Sequence, residues 1–170
     1  MQSLHNGLIL CCAVLFLSAC GYQLRQSVEL PDEMKKMYVQ NGSAPLRKRI
    51  RKVVKSSSAN LAKTPEDAGM IVNILEEDMR RNVLSLSSTG KAIEYELYYT
   101  LAFELIDEQG KIVLPRQTIE VSRDYFNDQS GETVLGKASE EGVIREEMYK
   151  YAVRSIVDRA RSVFKGPVTR

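Results

Sequence analysis

From Glu94 to Leu105 the chain alternates. Tyr95, Leu97, Tyr99, Leu101, Phe103 and Leu105 interleave with Glu94, Glu96, Tyr98, Thr100, Ala102 and Glu104. A period of two marks a strand with one buried face. The pattern therefore predicts a long strand with Tyr95 and Tyr99 in the core and Tyr98 on the opposite side. Leu46, Ile50, Val53, Val54, Ser57 and Leu61 recur instead at helical spacing after Pro45, predicting a helix from Pro45 to about Leu61. Short strands are expected at Lys36–Gln40, before the turn-like Asn41-Gly42-Ser43, and at Met70–Leu75, whose unbroken apolar run suits a central strand. The stretch Asn82–Ser87 continues extended, and Ser88-Thr89-Gly90 and Asp107-Glu108-Gln109-Gly110 read as turns. A further strand is expected over Thr118–Tyr125, with Pro115 keeping the residues before it out of a central ladder.

The last predicted element is a helix from Lys137 to Val163, with Ile144, Met148, Tyr151, Ala152, Ser155, Ile156, Arg159, Ala160 and Val163 on its buried side. The order β-α-β-β-β-α leaves one sheet face and two helix stripes to bury. The simplest solution is an α+β two-layer sandwich: a mixed sheet of about four strands covered by two helices.

The N-terminus carries a different signal. Leu8–Leu17 is an unbroken apolar run, too short for a bilayer span of about 20 residues but suited to a signal-peptide core. It leads into Leu17-Ser18-Ala19-Cys20, the pattern of a bacterial lipobox. Residues 1–19 are thus expected to be a lipoprotein signal peptide, Cys20 the lipid attachment site, 20–35 an acylated tether and 36–165 a single α+β domain. Acyl chains hold such a protein on a membrane at about 0.8 kcal/mol per buried methylene. Gly21, where a retention Asp would hold a lipoprotein at the inner membrane, points to the outer membrane.

Composition narrows the chemistry. The only histidine is His5 and the cysteines are Cys11, Cys12 and Cys20, so the domain has neither imidazole nor thiol. Ser-His and Cys-His catalysis, zinc sites built on those residues and internal disulfides are excluded. No paired-carboxylate motif or glycine-rich phosphate loop stands out, so no enzyme, metal or cofactor is expected. The net charge of +2 gives no reason to expect a nucleic-acid partner. Basic residues concentrate in two places. One is the first helix, with Arg47, Lys48, Arg49, Arg51, Lys52 and Lys55. The other is the set Arg80, Arg81 and Lys91 around the strand ends, with Lys137 at the start of the last helix. A lysine beside free helix N–H groups forms an anion site.

Several segments together resemble one family. Cys20-Gly21-Tyr22-Gln23-Leu24-Arg25, the Tyr95 strand, Arg123-Asp124-Tyr125-Phe126, Lys137 followed by acidic residues, and Glu147-Met148-Tyr149 are similar to the LPS-assembly lipoprotein (LptE) family. The resemblance implies a lipid-anchored outer-membrane protein that plugs the LptD β-barrel, binds lipopolysaccharide and helps deliver it to the cell surface. It also implies that Lys137 stands at a basic position linked to lipopolysaccharide binding. A second such position falls on Ser88, and Lys91 lies three residues on. Candidate ligand contacts are therefore Lys137 and Lys91, supported by Arg80 and Arg81. The alternatives are an envelope lipoprotein that scaffolds another complex without lipopolysaccharide affinity, and a carboxylate-dependent cell-wall hydrolase.

Overall fold

The computed structural model describes residues 30–57, 59–126 and 134–164, with side chains of the last helix described from Glu140 onward. The expected signal peptide, Cys20 and most of the tether lie outside the described residues. A single turn of 3-10 helix, Asp32–Met34, precedes β1 (Lys36–Gln40), α1 (Ala44–Ser56), β2 (Asn60–Leu61), β3 (Met70–Leu86), β4 (Ala92–Asp107), β5 (Ile112–Phe126) and α2 (Val134–Phe164). The sheet order is β2-β1-β3-β4-β5. Strand β1 runs parallel to β2 and β3, whereas β3, β4 and β5 form an antiparallel meander. The expected mixed sheet under two helices is present, with five strands rather than about four.

The extra strand comes from the end of α1. Ser57 takes an extended conformation (φ −114°, ψ 160°), so the helix stops short of Leu61. Leu61 instead pairs with Met37 at the sheet edge. Leu61 still packs against the core, partly buried, so its apolar character fits the helical period of α1 although it belongs to a strand. Pro31 and Met34, just before β1, are buried.

Ser43 caps α1, its Oγ accepting from the Leu46 N–H, and Pro45 occupies the first turn, where its missing donor costs nothing. Leu46, Ile50 and Val54 face the sheet at helical spacing. They meet Met37, Met70, Val72, Ile74 and the buried side of β4 in one cluster that also takes Met148, Ala152, Val153, Ile156 and Ala160 from α2. The β4 parity is as expected, with Leu97, Tyr99, Leu101, Phe103 and Leu105 fully buried. Two positions on α2 are corrected: Tyr151 and Val163 are exposed, and Val153 and Val157 are buried in their place.

Strand β3 is continuous where two separate extended stretches were expected. A bulge between Ile74 and Glu76 interrupts its pairing and leaves Leu75 exposed. Pro115 falls in a one-residue irregularity of edge strand β5, between the pairs Leu105–Leu114 and Phe103–Gln117, where its missing N–H is tolerated. The sheet face away from the helices is polar. Asn73 donates to Glu104 at 2.8 Å, Arg116 pairs with Glu76 at 2.7 Å, and Asn82 donates to Glu96.

Candidate functional site

The β3–β4 hairpin carries three of the candidate cations. Gly90 closes its turn with φ 79°, a left-handed conformation that suits glycine, and its N–H donates to the Ser87 carbonyl. Lys91 follows directly and is exposed. The hairpin pairs through to Leu86–Ala92, so Arg80 and Arg81, opposite Tyr98 and Leu97, lie in mid-strand and not at a strand end. Leu97 is six positions beyond Lys91, about 20 Å at strand rise. The expected grouping of Arg80, Arg81 and Lys91 is therefore corrected. Neighbours in a strand point to opposite faces, so Arg80 and Arg81 also part from each other.

Each of these arginines already has a carboxylate. Arg80, on the polar face, bonds Asp78 at 2.7 Å and stacks over the Tyr98 ring at 5.4 Å. Arg81, on the helix side, stacks over Tyr95 at 4.9 Å and reaches Glu141 on α2 at 3.3 Å. Tyr95 in turn stacks on Tyr125, with ring centroids 5.5 Å apart. Glu141 accepts a 2.6 Å hydrogen bond from the Tyr125 hydroxyl and a 2.8 Å bond from Arg145 Nε. Burial works against its charge, but the Tyr125 hydroxyl, Arg145 and Arg81 more than offset this and hold the carboxyl below its ordinary range. Burial and the Glu141 bond push the Tyr125 phenol up. The cluster clamps the start of α2 onto the end of β5.

That clamp positions Lys137. The backbone at 137 belongs to α2, one helical turn before Glu141; its side chain lies outside the described residues. Contacts between Glu141 and Tyr125, and between Arg159 and Gln117, show that α2 runs antiparallel to β5. Position 137 thus lies about 6 Å beyond Glu141 in the direction of the hairpin turn. Lys137 and Lys91 belong to the same end of the molecule.

At that end the sheet outruns its helical cover. Val83, Leu84 and Leu86 are all about half exposed or more, between 48% and 60%; Phe126, paired with Glu94 and next to helix-side Tyr125, is exposed on the opposite face. Val83, Leu84 and Leu86 lie between the Arg81 clamp and Lys91, and they were missed in the sequence reading. The signal was there: Val83-Leu84-Ser85-Leu86 is an apolar stretch in an extended segment for which no covering element was predicted.

An open cleft of about 490 Å³ lies beside the α1 N-terminus, lined by residues that include Asn41, Ser43, Glu76, Glu77 and Tyr149. Its carboxylates are both engaged: Glu76 pairs with Arg116 at 2.7 Å, and Glu77 accepts from the Ser43 N–H at 2.8 Å, the Ser43 hydroxyl at 2.6 Å and the Tyr99 hydroxyl at 3.0 Å. Burial first, and the nearby Glu77 charge second, push the Tyr99 phenol far up. Among the described residues no cluster of acidic, histidine or cysteine side chains could hold a metal ion.

A family model described as LptE, Lipopolysaccharide-assembly, matches residues 34–160. The chain is similar to the LPS-assembly lipoprotein LptE of Photorhabdus laumondii, at 23% identity over 92% of this chain and 85% of the relative. It is also similar to the LPS-assembly lipoprotein LptE of Pectobacterium atrosepticum, at 24% identity over 92% and 84%. Among solved structures, lipoprotein B from Nitrosomonas europaea superposes with a TM-score of 0.63 and 27% identity, covering 84% of this chain and 91% of that one. The rare lipoprotein B from Shewanella oneidensis shares the fold, with a TM-score of 0.56 and 23% identity over 75% and 94% of the two chains.

Proposed function

Because the chain belongs to the lipopolysaccharide-assembly family LptE, we propose that this envelope lipoprotein sits in the outer membrane, plugs an LptD-like β-barrel and binds lipopolysaccharide at the projecting end of its β3–β4 hairpin. The observation that carries this reading is the pairing of exposed Val83, Leu84 and Leu86 with Lys91 and the Lys137 backbone at one end of the sheet. An amphipathic anionic lipid has acyl chains for the first group and phosphates for the second. Arg80 and Arg81, already paired with Asp78 and Glu141, support the hairpin and are not free phosphate ligands. The polar sheet face suits the polar interior of a barrel. The role is binding and assembly and not catalysis: Glu77 and Glu141, carboxylates that each gather donors from more than one residue, both hold the fold together.

The test reverses both lysines. Lys91→Glu with Lys137→Glu is expected to weaken lipopolysaccharide binding at least about tenfold, equivalent to ~1.4 kcal/mol. Thermal stability and co-purification with the barrel are expected to persist. Unchanged affinity with unchanged stability rejects the assignment.

A further inference from the structure

Strand β3 has an open edge. Strand β1 pairs with it only over Met70–Asn73, and from there to Leu86 its partner among the described residues is β4 alone. Leu75 and Leu84 are bulged out of that pairing, and the eight residues between, Glu76–Val83, keep regular register with β4. Their other edge presents a row of unpaired backbone donors and acceptors, a template for one more strand.

The order of charge along this edge identifies the strand that fits. Glu76, Glu77 and Asp78 precede Met79, and Arg80, Arg81 and Asn82 follow it. Turned end for end about Met79, a second copy of the edge sets Asp78 opposite Arg80, Glu77 opposite Arg81 and Glu76 opposite Asn82. Exposed Leu75 and Val83 stand four residues from Met79 on either side, so apolar meets apolar at both ends. Other registers fail. An axis between two residues opposes a helix-side residue to one on the polar face, and an axis on Asp78 or Arg80 sets a charge against itself. We propose that the chain pairs with a second copy of itself through the β3 edge, as a two-fold dimer that joins the two five-stranded sheets into one with Met79 on the axis. A barrel wall surrounds the domain it encloses, so a plugged copy offers no edge to another. The dimer is therefore the form of the lipoprotein outside the barrel, and plugging ends it. The pairing does not depend on lipopolysaccharide binding, so the two readings fail separately.

The experiment uses the acylated mature protein in detergent, with association read by sedimentation velocity. Wild type is expected to form a dimer, and Asp78→Arg or Arg80→Asp alone to weaken it at least about tenfold, equivalent to ~1.4 kcal/mol. An equal mixture of these two variants is expected to restore association, because each acid of one chain then meets an arginine of the other. Neither variant keeps the Asp78–Arg80 pair within the chain, so recovery on mixing reports contact between chains. A second measurement fixes the register. Opposed residues of antiparallel strands have Cα atoms about 4.5–5.5 Å apart, within disulfide reach. With Cys20 acylated, an introduced cysteine is the free thiol of the mature chain. Met79→Cys is expected to form a disulfide with its own copy. Glu76→Cys, about 20 Å from its copy, is expected to crosslink only when mixed with Asn82→Cys. The barrel is expected to take up reduced Met79→Cys and to exclude the crosslinked dimer. A monomer at every concentration, no recovery on mixing, or a crosslinked dimer that plugs the barrel as well as the reduced chain overturns the proposal.

Discussion

Replacing Glu141 with Gln removes one charge from the clamp between α2 and β5 and leaves its shape nearly unchanged. Its carboxylate receives Tyr125 Oη at 2.6 Å, Arg145 Nε at 2.8 Å and Arg81 at 3.3 Å. A hydrogen bond to a charged group contributes about 1.5–3 kcal/mol and a neutral one about 0.5–1.5, so the Tyr125 contact loses roughly 1 kcal/mol. The helical Arg145 pair adds about 0.3–0.5 kcal/mol, and the exposed Arg81 pair no more than about 0.5. The expected loss is therefore ~1.5–2 kcal/mol at neutral pH, read as a lower urea midpoint with an unchanged slope. The pH dependence gives a second reading. The folded carboxyl is held below its ordinary value of 4.5, so its stabilisation is fully present above that pH and is lost as pH falls through the folded value. The gap between wild type and Glu141→Gln should stay constant above pH 4.5 and close below it. A gap that persists in acid, or no gap at neutral pH, refutes the clamp.

Leu101→Asp should prevent stable folding, because Leu101 is fully buried and an unpaired carboxylate there costs several kcal/mol; loss of near-ultraviolet circular dichroism checks it. Ser43→Ala removes the α1 cap and the hydroxyl donor to Glu77, and chemical denaturation should show a loss of about 1–2 kcal/mol. Cys20→Ser should abolish incorporation of labelled palmitate and stable membrane attachment, and equal label in the two proteins would contradict the lipobox reading.

What can be read from local order is the set of elements. The alternation over Glu94–Leu105, the Ser43 and Pro45 start of α1 and the Gly90 and Gly110 turns each depend on residues a few positions apart, so they were legible as written. The lipobox and the family resemblance were legible for the same reason, being short strings of adjacent residues. What only tertiary structure decided depends on pairing across long stretches of chain. Leu61 fits a helical period, yet an unpaired sheet edge beside Met37 makes it a strand. Arg80 and Arg81 are adjacent in sequence, yet the pleat sends them to opposite faces, and Arg81 meets Glu141 across sixty residues. Val83, Leu84 and Leu86 look like core, yet they remain open because the two helices cover the sheet only part of the way along the hairpin. Periodicity reports which side of an element is apolar; whether anything covers that side is settled by the lengths and register of elements far away in the chain.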